Sequence, residues 1–131
     1  MLYAEFVHKA LGAFVSRNET ALAYATHELL YTITWAVAVQ RGVLMRSGNS
    51  YYTQAQEVAG LDSAWTYYHR MLLCLETLPG HLLPVEARGI AALRLYQETA
   101  RLLHAALQPQ DRLVIDQAIQ VIEQAQLSAL L

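Results

Sequence analysis

The stretch from Asn18 to Arg41 constrains this chain more than any other, because it is apolar enough for a buried central helix yet carries Tyr24, Glu28, Tyr31 and Trp35 at helical spacing. Steps of four, three and four residues put those side chains on one face. As a helix the stretch is about 36 Å long, the full height of a small bundle. A carboxylate among aromatic rings on such a helix has two readings. In one, Glu28 accepts hydrogen bonds from a tyrosine, from Thr32 or from another helix, and the rings fill the core. In the other, the stripe borders a pocket with Arg41 and Arg46 at its mouth, suited to a small polar, ring-containing ligand.

The rest of the chain follows the same period, and its breaks fall at Gly and Pro rather than at hairpin signals. The first helix is expected from about Leu2 to Val15. Ser16, with Glu19 three residues on, reads as a capping box for the second, which Gly42 ends in a left-handed conformation. Gly42 to Ser50 reads as a polar loop and Tyr51 to Ala59 as a short helix stopped by Gly60. Asp62 or Ser63 caps a fourth helix to about Leu78, Pro84 opens a fifth to about Leu107, and Pro109 opens the last. The expectation is an all-α, up-and-down bundle of five to six helices around a long central one, with residues 1–131 forming a single domain.

Composition narrows function mainly by exclusion. Nine basic against eleven acidic residues give a net charge of -2, without the basic excess that anchors nucleic acid. With 55% hydrophobic and only 15% charged residues, apolar surface is left to meet a partner or a second copy of the chain, so a homo-oligomer is expected. One cysteine, Cys74, excludes an internal disulfide and a cysteine-built zinc site, and it sits among leucines like a small core residue. Met1 to Val15 reads as an amphipathic helix rather than a secretory signal, and Leu29 to Val39 is too short to span a bilayer. A cytoplasmic protein without membrane contact fits these features.

Several clusters could carry chemistry. Arg46, Ser47, Asn49, Tyr51, Tyr52 and Gln54 lie in or beside the polar loop, where a rigid scaffold often places binding groups, although no phosphate-binding motif is present. The five histidines show neither His-Glu-x-x-His nor repeated Glu-x-x-His spacing, so no metal and no cofactor is expected. On the fourth helix Tyr67, Tyr68, His69 and Arg70 form a dense polar-aromatic patch. Aromatic residues and Arg anchor protein interfaces, which makes Trp65, Tyr68 and Arg70 candidate contact residues. Arg94, Glu98 and Arg101 read as a solvated, ion-paired face.

The helix ending in Gln40-Arg41-Gly42, the polar loop and short helix Ser47 to Ala59, and the later run from Ala92 to Ala100 together resemble the helical domain that follows the catalytic domain in aminoglycoside-type nucleotidyltransferases. The resemblance spans about Ala21 to Leu107 and implies one wall of a substrate cleft, with Glu28, Trp35 and Arg41 near it. The family's Gly-Ser motif and paired metal-binding aspartates do not occur here: Ser47-Gly48 is in reverse order and no Asp-x-Asp exists. The expected function is therefore a non-catalytic binding or accessory domain that works with a separate nucleotidyltransferase catalytic subunit. The alternatives are a small helical enzyme using Glu28 as acid or base, oriented by Tyr31 and Arg41, and a plain dimerisation module.

Overall fold

A computed structural model describes residues 4–43, 48–78, 80 and 82–104, together with isolated positions 109, 113, 116, 117 and 120. The described residues form an all-helical bundle: α1 (Ala4–Val15), α2 (Glu19–Gln40), α3 (Gly48–Ala59), α4 (Ala64–Leu72) and α5 (Pro84–Leu103). The expected final helix, apart from those isolated positions, lies outside them. No helix among the described residues is long and apolar enough to cross a membrane.

Helix ends decide the layout. Three of them close with the same pair of bonds, in which a residue at positive φ turns the chain and its own amide and the next one reach back to the last free carbonyls. At the end of α1 the turning residue is Arg17, with Arg17 N–H donating to Phe14 O and Asn18 N–H to Ala13 O. This corrects the expected capping box. Ser16 belongs to the end of α1, and it is Asn18 whose side chain accepts from Ala21 N–H at 3.1 Å to start α2. Gly42 ends α2 as its sequence implies, through Gly42 N–H to Val39 O and Val43 N–H to Ala38 O.

The third such end falls at Cys74, with a φ of 62°, so α4 stops at Leu72 rather than near Leu78. Cys74 is consequently exposed, not a core residue. Of the two expected caps for α4, Ser63 serves, accepting from Thr66 N–H at 3.2 Å. Helix α3 starts at Gly48, three residues before its expected first residue Tyr51.

The long helix α2 touches each of the other four helices, and α5 is the more deeply buried. Leu22, Ala25, Leu29, Ile33 and Val37 of α2 pack against Ile90, Leu93 and Tyr96 of α5, with Val7 and Ala10 of α1 and Trp65 and Met71 of α4 closing the core. Helices α2 and α5 run in the same direction. Leu22 lies against Gly89 near their starts, and the Arg41 guanidinium donates to Leu102 O near their ends at 3.5 Å. Helix α4 runs back between them in sequence: Trp65 at its start is bonded to Thr99, and Leu72 at its end lies beside Val85.

The close approach of α2 and α5 depends on Gly89. A Cβ there would stand 2.8 Å from Leu22 Cδ1 and 3.1 Å from its Cγ, and Leu22 is itself enclosed in the core. Overpacking of this kind typically costs about 1–3 kcal/mol, more than the ~1 kcal/mol that a helical Gly→Ala change returns. Gly89→Ala is expected to lower stability by about 1 kcal/mol net. Urea unfolding measures this, and a more stable variant would show that Leu22 gives way freely.

Candidate functional site

Two arrangements stand out, one outside the bundle and one inside. On α2, Tyr24, Glu28, Tyr31 and Trp35 do share one side, and that side is turned to solvent: Tyr24, Tyr31 and Trp35 are 57%, 56% and 47% exposed. Phe6 of α1 meets the Tyr24 ring edge-on at 6.5 Å, and the Lys9 ammonium sits 5.2 Å from the Phe6 centroid. Glu5, hydrogen-bonded to Lys9 and opposite in charge, holds that ammonium above its ordinary range. Glu28 is half-buried, and its carboxylate has no hydrogen-bond or ion-pair partner among the described residues; Thr32 donates instead to the Glu28 backbone carbonyl at 2.9 Å.

Clefts lie at three other places: between α2 and the α4–α5 junction, at the α1–α2 turn, and beside Trp65 and Arg101. None of these three is lined by Tyr24, Glu28, Tyr31 or Trp35. Arg41 lies about 100° around the helix from the stripe, and its guanidinium is directed to the end of α5. Arg46 falls outside the described residues. Tyr52 is half-buried beside the face on α3, and burial raises its phenol above the ordinary range, with Tyr31 a smaller contributor.

The inner arrangement centres on His69, which is fully buried. Thr34 of α2 donates its hydroxyl to Leu30 O at 2.7 Å, so its oxygen is left to accept from His69 Nε2 at 2.9 Å. With Nε2 protonated, a neutral imidazole must accept at Nδ1, and there the Gln56 amide of α3 donates at 2.9 Å. The ring is stacked on Trp65 at 4.4 Å and on Tyr52 at 5.7 Å. Trp65 in turn donates its indole N–H to Thr99 Oγ1 on α5 at 2.8 Å, and Thr99 donates to Leu95 O. One chain of donors thus joins α3, α4 and α2, and Trp65 extends the tie to α5.

This distributes the patch expected on α4 differently. Trp65 and His69 are core residues, Tyr68 is half-buried against Tyr67, and Arg70 is engaged by Glu76 at 2.8 Å and by Leu75 O. The role of His69 was readable from its spacing: Trp65, His69 and Leu72 recur on the buried stripe of α4, whereas Tyr67 and Tyr68 are merely its chain neighbours.

Among the described residues no three of His, Cys, Asp and Glu converge as a metal site would require. No protein family, curated protein or solved structure matches the chain.

Burial pushes the His69 imidazole down from 6.5 to about 4. In unfolded chain it takes up its proton near 6.5, in the fold only near 4, so between those values the unfolded state holds more protons. Stability is therefore expected to fall by about 3 kcal/mol from this group as pH drops across that window and to level off below it. Urea unfolding of the wild type and of His69→Gln across the window checks this. The wild type should show the steeper pH slope, and equal slopes would mean that the ring protonates freely in the folded state.

Proposed function

We propose that this chain is a non-catalytic helical binding domain that docks a separate catalytic subunit, of the nucleotidyltransferase kind its sequence resembles, through the aromatic face of α2. The observation that carries this reading is the exposure of Tyr24, Tyr31 and Trp35 in one line along that helix. Large rings held in water are the side chains that supply most of the energy of protein interfaces when covered. An open face of this shape suits a protein surface better than a small ligand, which needs concave walls. Phe6 widens the patch, and Glu28, whose carboxylate accepts no hydrogen bond among the described residues, offers an acceptor at its centre. The same face could also receive a second copy of the chain about a two-fold axis, since an isologous contact needs only one self-complementary patch.

The test is co-expression with a nucleotidyltransferase catalytic domain encoded beside this chain, followed by light scattering of the purified material. A stoichiometric complex is expected. Tyr31→Ala combined with Trp35→Ala should weaken it at least about 30-fold, the size of one strong interface anchor. Because both rings are about half exposed and lie outside the core cluster, the variant should still fold, with a melting temperature only modestly lowered. Failure of the two chains to associate overturns the accessory reading, and a dimer of the chain alone that the double variant disperses puts a second copy on the face instead.

A further inference from the structure

The cleft between α2, the end of α4 and the first turns of α5 has a volume of about 180 Å³. Its walls divide by chemistry: Leu30, Leu72 and Val85 are apolar, while Thr26, His27 and Arg88 gather donors and positive charge. No acidic side chain among the described residues lines it. Two of the polar groups lack partners in a way their neighbours do not.

Thr32, Thr34 and Thr99 settle their hydroxyls on the carbonyl four residues back, and Thr66 donates to Gly60 O. Thr26 is 8% exposed, and its Oγ1 is buried without any hydrogen-bond partner. Arg70, Arg94 and Arg101 each donate to a side-chain acceptor. The Nε of Arg88 is buried without one. Both residues line the same cleft, and a buried donor without a partner calls for an explanation, of which a bound anion is one.

We infer that this cleft binds a small organic carboxylate, its head between Thr26 Oγ1 and the Arg88 guanidinium and its short chain or single ring against Leu30, Leu72 and Val85. A guanidinium fork and a hydroxyl match the donors that a carboxylate accepts. The volume is comparable with an apolar cavity of about 150 Å³ that takes one benzene ring. Exposed His27 at the rim adds a further donor to the head. The inference is independent of the docking reading. Residues 23, 27 and 30 lie about 100° around α2 from the aromatic stripe, so the two surfaces can be tested separately.

The experiment is a titration of the full chain with benzoate, followed by amide chemical shifts, with benzyl alcohol and inorganic phosphate as the comparison probes. Benzoate should shift residues around Thr26, Leu72 and Arg88 with a dissociation constant on the order of 1 mM. Benzyl alcohol and phosphate should each bind at least about 10-fold more weakly, since one lacks the charge and the other the apolar body. Thr26→Val keeps the shape of the side chain and should weaken benzoate several-fold. Arg88→Gln should abolish binding, and Arg88→Lys, which keeps charge without the fork, should retain part of it. If Arg88→Gln does not fold, Thr26→Val and Arg88→Lys decide the matter. Equal binding of benzyl alcohol, equal binding of phosphate, unchanged affinity in Thr26→Val, or no shifts at the cleft would each overturn the proposal.

Discussion

The fold depends on a single neutral imidazole held between two partners that leave it no choice of tautomer. Thr34 spends its hydroxyl hydrogen on its own helix, which obliges His69 to donate at Nε2 and therefore to accept from Gln56 at Nδ1. Removing any member strands a polar group in a sealed interior, where an unsatisfied donor or acceptor costs about 1–3 kcal/mol. This matters most for α3, the helix with the least apolar surface to bury. Its inward-facing residues are Tyr51, Ala55 and Gln56, and the bond from Gln56 fixes which way they face. Through Tyr52, stacked on His69, the same contact sets one margin of the aromatic face on α2.

Much of the architecture was legible in the sequence, and the reasons are local. Gly42, Gly60 and Pro84 act through backbone conformations that few other residues adopt cheaply, so the elements they bound lie where the pattern puts them. Ser63 does the same through its side chain. The misplaced cap of α2 and the misplaced end of α4 share one cause. Arg17 and Cys74 occupy the left-handed region without being glycine, a conformation that costs a non-glycine residue about 1–2 kcal/mol and that no residue pattern announces. Tertiary packing outweighs that cost at both sites. With Ser16 drawn into the end of α1, the capping role passes to Asn18.

The candidate site was legible only in part. That Tyr24, Glu28, Tyr31 and Trp35 share a face follows from helical spacing alone. Which side of α2 that face occupies does not follow, because α2 is apolar nearly all round: Leu29, Ile33 and Val37 on one side, Tyr31, Trp35 and Val39 on the other. Hydrophobicity gives no direction when both faces carry it. Only the partner decides, and the partner is α5, whose Gly89 admits Leu22 on the aliphatic side of α2 closely. The aromatic side is left facing water by exclusion.

The carboxylate cleft is a consequence of the same geometry. Because α2 and α5 are parallel, the chain must travel back along the bundle between them, and α4 is the element that does so. At nine residues α4 covers about 14 Å, against about 30 Å for the twenty of α5. Pro79-Gly80 would let α4 run on to about Leu78. The left-handed turn at Cys74 ends it first, and Leu72 becomes a wall of the cleft instead of one more buried residue along a continuous helix. The cavity with its two unpaired donors thus lies at the junction where a short return helix hands over to a long one.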